Sequence, residues 1–122
     1  EASRALGIEL LDVGPGRARM RMRVTSTMVN GHDIAHGGLV FALADSAFAV
    51  ACNSHGTVTV ASGADITFVA PGRLGDELVA EAVEHTVFGR SGLTDVTVTR
   101  AGGDVVAHFR GRSRSLGRPI EP

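Results

Sequence analysis

Residues Arg17 to Val24 alternate strictly between arginine and an apolar side chain: Arg-Ala-Arg-Met-Arg-Met-Arg-Val. A period of two puts Ala18, Met20, Met22 and Val24 on one face and the arginines on the other, so this segment predicts a strand with one wet face. Gly14-Pro15-Gly16 before it is a turn. Leu6 to Val13 is too short a pattern to choose between helix and strand. The pattern then breaks. Thr25 to Gly38 has no clean periodicity and carries Asn30, Gly31, His32, His36, Gly37 and Gly38, which predicts a loop.

Leu39 to Cys52 is the longest apolar stretch, rich in alanine and leucine and interrupted only by Asp45 and Ser46. That length and composition predict a helix. Because it is apolar nearly all round, it should be enclosed. Asn53-Ser54-His55-Gly56 closes it. Four strand-like runs follow: Val58 to Phe68, Glu77 to Val87, Leu93 to Arg100 and Val105 to Arg114. Pro71-Gly72, Gly89 to Gly92, and Ala101 to Asp104 separate them. In the last run, alternation puts Val105, Ala107 and Phe109 on one face and Val106, His108 and Arg110 on the other. Short glycine-rich connections favour antiparallel pairing. The expected architecture is α+β: one long helix against one curved antiparallel sheet.

Composition narrows the function. The 122 residues are expected to form one domain, residues 1–122, with no room for a separate cofactor domain. A start at Glu1 carries the expectation that an initiator residue and a short leader precede it. A formal net charge of −1 supplies no basic footprint for nucleic acid. The absence of Trp and Tyr removes the usual stacking platforms for single strands. No apolar run approaches the ~18 residues of a membrane span, and no signal-peptide pattern is present. The single cysteine, Cys52, cannot form an internal disulfide, which fits a cytoplasmic location. All twelve basic residues are arginine, so no lysine is available for Schiff-base chemistry.

Asp45 is the first candidate for chemistry, because a carboxylate in an apolar helix is costly to bury unless paired or used. The bland alternative is a carboxylate facing a wet groove or an oligomer seam. His36-Gly37-Gly38 is the second. Backbone N–H groups at a helix start are unpaired, and glycine lets a substrate carbonyl approach them, which is the chemistry of an oxyanion hole. Plain turn glycines would look the same. His32-Asp33-Ile34-Ala35-His36 copies the spacing of a zinc-binding H-E-x-x-H helix, with Asp for Glu. Flanking glycines argue against the helix that such a site requires, so no metal is expected. Gly14-Pro15-Gly16-Arg17 lacks a dinucleotide fingerprint, and no G-x-S-x-G elbow supports a serine triad. Cys52 reads as a buried inert thiol. Arg73, Arg90, Arg110, Arg112 and Arg114 are candidate phosphate contacts among surface arginines.

Met28-Val29-Asn30-Gly31-His32, His36-Gly37-Gly38, Leu43-Ala44-Asp45-Ser46-Ala47-Phe48 and Ala51-Cys52-Asn53-Ser54 together resemble the phenylacetate-pathway (PaaI-like) acyl-CoA thioesterases of the hotdog superfamily. The resemblance continues through Ile66-Thr67-Phe68, Pro71-Gly72 and Gly75-Asp76 to Val105–Gly111. It implies a sheet wrapped around a long helix and hydrolysis of phenylacetyl-CoA or a related aryl or medium-chain acyl-CoA. It implies Asp45 as nucleophile or general base, Gly37 as N–H donor to the thioester carbonyl, and Asn30 and His36 as supporting groups. Gly38, Ser46, Ser62, Arg90 and Gly92 become substrate-binding candidates. No cofactor is implied, since coenzyme A is part of the substrate. Two other readings stand beside it: a non-catalytic acyl-CoA binding or sensing module on the same fold, and a hydratase or dehydratase.

Geometry adds an expectation about assembly. Gly37 and Asp45 are eight positions apart, about 12 Å along a helix rising 1.5 Å per residue. Both must approach one carbonyl to ~3 Å. Two helices packed antiparallel across a two-fold axis can do this, so a homodimer with shared active sites is expected. The resemblance extends that to a tetramer.

Overall fold

Arg17–Arg23 is a strand with Ala18, Met20 and Met22 buried beneath the arginines, as its alternation requires. The structure is a computed structural model, which describes residues 2–121. In chain order it contains α1 (Ala2–Ala5), β1 (Glu9–Gly14), β2 (Arg17–Arg23), a single 3-10 turn (Ser26–Met28), α2 (Gly37–Cys52), β3 (Thr57–Phe68), β4 (Glu77–Phe88), β5 (Ser91–Arg100) and β6 (Val105–Pro119). The strands form one antiparallel sheet in the order β1-β2-β4-β5-β6-β3. β1 and β3 are therefore its edges. The undecided segment Leu6 to Val13 becomes mostly β1. A register shift between Leu10 and Asp12 breaks its alternation and leaves Leu10, Leu11 and Val13 exposed. Gly16 carries the β1–β2 turn with φ +70°, a conformation costly for side chains with a Cβ.

The sheet curls around α2. Val40, Leu43, Ala44, Ala47, Phe48, Ala51 and Cys52 are buried against it, and apolar side chains buried this way each contribute roughly 1.5–3 kcal/mol when large. Phe109 of β6 packs edge-on to Phe41 and tilted to Phe48, with ring centroids 5.3 and 5.7 Å away. Opposite Phe48 stands Gly111. A Cβ there would lie 2.6 Å from the ring, so helix and sheet approach this closely only over a glycine.

Two expectations need correction. The helix is not enclosed on all sides by its own chain: Leu39, Phe41, Ala42, Asp45, Ser46 and Val50 are half-buried and Ala49 is exposed. One sheet covers one face, and α1 reaches the other through a Ser3 Oγ to Ser46 Oγ contact of 3.0 Å. The simple alternation expected for β6 also fails at Val106. Val98 pairs with Ala107 but Thr99 pairs with Val105, so Val106 is an extra residue in the ladder. It is buried, whereas His108 and Arg110 are exposed. Its carbonyl accepts the N–H groups of Val69 and Ala70, tying the chain beyond β3 to β6.

Candidate active site

The loop before α2 is held by the side chain of Asn30. Its Oδ1 accepts from the backbone N–H of His32 (2.8 Å) and of Ile34 (3.3 Å). Asp33 takes a left-handed conformation, φ 58°, inside this turn. The His36 N–H donates to Met28 (2.9 Å), and the Ala35 N–H donates to the carbonyl of Gly72 (2.7 Å) in the β3–β4 connection. The segment His32 to His36 is therefore a braced loop rather than a helix, and its two histidines do not sit on one helix face. Among the described residues, no three His, Cys, Asp or Glu side chains are grouped to hold a metal ion.

This bracing delivers His36 as the residue capping α2. Its side chain makes no capping hydrogen bond, and its carbonyl accepts the Leu39 and Val40 N–H groups. Gly37 and Gly38 fill the first two helical positions, so their N–H groups have no intrahelical acceptor and lie at the positive end of the helix dipole. Neither has another partner among the described residues. The Phe68 ring lies over this start: a Cβ on Gly37 would stand 2.8 Å from its Cζ.

Asp45 lies two turns further along, on the side of α2 that the sheet leaves open. It accepts no hydrogen bond and forms no ion pair among the described residues. Burial raises its carboxyl above the ordinary aspartate value. Ser46 beside it donates to the Ala42 carbonyl (2.8 Å) and meets Ser3, so its hydroxyl is engaged within the chain. Ser62 is exposed and falls between Ala61 and Gly63, where the β3–β6 register shifts. The bulge frees it from the ladder.

The thioesterase superfamily model matches residues 32–107, a span that includes the α2 start, Asp45 and β3 to β5. The chain is 42% identical to the acyl-coenzyme A thioesterase PaaI of Escherichia coli over 118 residues, 97% of this chain and 84% of that one. The solved structure of E. coli PaaI superposes with a TM-score of 0.95, covering 98% of this chain and 87% of that one. A mutant of the phenylacetic acid degradation protein PaaI from Thermus thermophilus is 36% identical, with a TM-score of 0.90 over 94% of this chain and 98% of that one. The chain belongs to the thioesterase superfamily. It is an enzyme, a thioester hydrolase with the hotdog fold.

A thioesterase needs a donor for the carbonyl oxygen and a carboxylate or base for attack. This one carries both on α2, but one chain does not bring Gly37 and Asp45 together, since two helical turns separate them. Asn30 and His36 cluster with the Gly37 end. Arg90 and Gly92 lie elsewhere. They line a cavity of about 230 Å³ past the C-terminal end of α2, with Cys52, His55, Glu84 and Ser113. There the Arg90 guanidinium rests against Gly117, and Gly92 is buried against the Ser113 hydroxyl. Sequence reasoning missed Phe68 as a neighbour of Gly37. The two are 31 positions apart, and no local pattern reports a contact made by the return of β3 alongside the helix start.

Proposed function

We propose that this thioesterase hydrolyses acyl-CoA thioesters to the free acid and coenzyme A, with a phenylacetyl-type or related aryl or medium-chain acyl group. The observation that carries the reading is the pairing of two unsatisfied glycine N–H groups at the start of α2 with an unpartnered, half-buried carboxylate on the same helix. The similarity to a protein named as an acyl-coenzyme A thioesterase supports the substrate class. In the proposed reaction the thioester oxygen accepts from the Gly37 N–H. Asp45 either takes a proton from the attacking water or itself attacks the carbonyl carbon to give a mixed anhydride that a water then hydrolyses, restoring the Asp45 carboxylate; in both routes the C–S bond breaks, the free acid is released, and the thiolate leaves to be protonated by solvent. Negative charge grows on oxygen in front of the helix dipole, where a fixed donor is worth most. Asn30 holds the loop that aims this donor, and His36 flanks it.

The active unit in this proposal is a homodimer in which Gly37 of one chain faces Asp45 of the other. Two features support it. The open side of α2 carries Leu39, Ala42 and Val50 half-buried, an apolar strip suited to a second helix. β3, twelve residues long, is an edge strand with its far side unpaired, which natural proteins seldom leave bare. No cofactor and no metal enter the scheme. No helix among the described residues is long and apolar enough to cross a membrane, and the substrate reaches the site from solution.

The test is a panel of acyl-CoAs assayed for released thiol, with Asp45→Asn beside the wild type. Phenylacetyl-CoA should turn over, and Asp45→Asn should lower kcat by ~10²-fold or more with native circular dichroism. A folded Asp45→Asn protein with near-normal kcat removes Asp45 from the mechanism.

A further inference from the structure

The bracing that delivers Gly37 reaches beyond its own loop. An open groove of about 490 Å³ lies beside the α2 start, and Gly37, Phe68, Pro71 and Gly72 are among the residues that line it. Residues 69–76 join β3 to β4 and meet the loop before α2 through two hydrogen bonds. The Ala35 N–H donates to the Gly72 carbonyl (2.7 Å), and the Leu74 N–H donates to the Asp33 carbonyl (3.0 Å). These two bonds make the isolated antiparallel bridge of Ile34 with Arg73. Gly72 is also packed tightly here: a Cβ on it would stand 3.3 Å from Cδ1 of the buried Leu78 and 3.6 Å from the Ala35 Cβ. Ala35 is two residues before Gly37, so the seat of Gly72 governs where the helix start points.

The β5–β6 hairpin seats this connection in turn. The Val106 carbonyl accepts the Val69 and Ala70 N–H groups at 2.8 and 3.2 Å, and any residue at position 106 would offer that carbonyl. Pro71 has no N–H to contribute. No backbone N–H among the described residues reaches its carbonyl either. That carbonyl accepts from Nη1 of Arg100, at the end of β5, at 3.0 Å. The other edge of the guanidinium faces Asp104, with Nη2 and Nε at 3.3 and 3.4 Å from Oδ2. Gly102 and Gly103, with φ of 97° and 90°, make the tight turn that brings Asp104 back to Arg100. Asp104 is well exposed, so the ion pair adds little stability of its own. It orients the planar guanidinium and leaves Nη1 for Pro71.

Resting on the reading of Gly37 as the carbonyl donor, we propose that Arg100 is a positioning residue for the thioesterase reaction, acting through the Pro71 carbonyl, Gly72 and Ala35 to fix the direction of the Gly37 N–H. Arg100 touches no reacting atom. Its importance comes from the narrow geometry of the donor, which must lie about 2.7–3.1 Å from the developing oxyanion. A misplacement of ~1 Å by a distant change can cost ~10²-fold in rate. Within residues 69–72 the Arg100 bond is the one made by a side chain among the described residues, and so the one that substitution can remove. Its loss leaves a partly buried carbonyl without a donor, and the turn must shift to find water.

The experiment compares wild type with Arg100→Met, Arg100→Lys, Asp104→Asn and Gly37→Val, on whichever acyl-CoA the wild type turns over fastest. Arg100→Met keeps the length of the side chain and removes the donor. Its kcat should fall about ten-fold with KM within about two-fold, because the loss is in transition-state geometry. Arg100→Lys keeps a donor for Pro71 and should recover most of that loss. Asp104→Asn leaves the Pro71 bond in place and should stay within about two-fold of wild type. Amide hydrogen exchange of the segment 28–40 should quicken in Arg100→Met and return toward wild type in Arg100→Lys; a merely stabilising role would lower the melting temperature and leave this segment and kcat unmoved. Should Arg100→Met fail to fold, Arg100→Gln, too short to span to Pro71, carries the same expectations. A folded variant with near-normal kcat, or a loss of kcat without faster exchange in 28–40, overturns the role of Arg100 and leaves the Gly37 reading standing. Undiminished kcat in Gly37→Val overturns the Gly37 reading, and the role of Arg100 with it.

Discussion

The proposed sharing of active sites between two chains makes a quantitative prediction about mixed dimers. The first perturbation is Gly37→Val. A Cβ at position 37 would stand 2.8 Å from Cζ of Phe68 and 3.3 Å from both Cε atoms. Phe68 is 52% exposed, so its ring can swing aside and the chain should fold, but the valine then crowds the space in front of the N–H donor. The second perturbation is Asp45→Asn. Each homodimer carries two identically damaged sites and should retain ~1% of wild-type activity or less. In a heterodimer the two defects fall differently. One site takes intact Gly37 from the first chain and intact Asp45 from the second; the other site takes both lesions. A purified heterodimer should therefore show about half the wild-type rate, and random exchange of equal amounts about a quarter, because about half the dimers are mixed. The axial separation of Gly37 and Asp45, about 12 Å for eight helical residues, is what forbids rescue within one chain. The assay uses two affinity tags, tandem purification of the mixed species, and phenylacetyl-CoA turnover. Verified heterodimers with activity no higher than the homodimers would refute the reasoning and assign each site to a single chain.

Further predictions rest on packing and ionisation. Gly111→Ala should lower stability by about 1–3 kcal/mol, because the new methyl meets the ring of Phe48, which is 1% exposed and has nowhere to go. Gly63→Ala meets the far end of the exposed Arg112 side chain, which is long enough to shift, and should cost far less; thermal melts of the two side by side check the contrast, and equal losses would contradict it. Burial raises the Asp45 carboxyl, so the folded state holds this proton more tightly than the unfolded state does. Its contribution to stability therefore falls as pH rises from the ordinary aspartate value through the raised one, and Asp45→Asn should melt higher than wild type at pH 7, with the gap narrowing as the medium is acidified. A gap independent of pH would exclude that origin. The Cys52 thiol is pushed up to about 11, chiefly by burial and also by the negative charges of Glu84 and Asp45. It should react with a thiol reagent at pH 8 only slowly until denaturant is added; rapid labelling of the native protein would show the helix end to be open.

Much of this molecule is legible in the order of its residues. The alternation of Arg17 to Val24 defines β2 and its buried face, since a period of two leaves no other way to segregate four arginines from four apolar side chains. The alanine- and leucine-rich run marks α2, and glycine-rich punctuation marks the strand ends within a few residues. The candidate site was proposed on similar grounds. An acid inside an apolar helix and two glycines at its start are local departures from what packing alone would select, and such departures mark candidates for chemistry.

Other properties exist only in three dimensions. The alternation in β6 could not reveal that Val106 is a bulge, because its displacement is set by pairing with β5 and by the Val69 and Ala70 N–H groups it receives. Apolar residues all round α2 suggested enclosure, but one sheet can cover only one side of a cylinder, and the fold leaves the Asp45 side open. Gly37 looked like a glycine needed for a ligand. The fold shows that it also makes room for Phe68, a contact between residues brought together by β3 running back beside the helix start. Arg73 and Arg90 are alike as residues beside glycine-rich turns. The fold separates them, placing one beside the groove at the positive end of α2 and the other in the cavity past its far end, because strand order decides which turns share an end of the sheet. Local pattern determines which elements form and which face each buries. Long-range pairing determines which of those elements meet, and so which residues can act on one substrate.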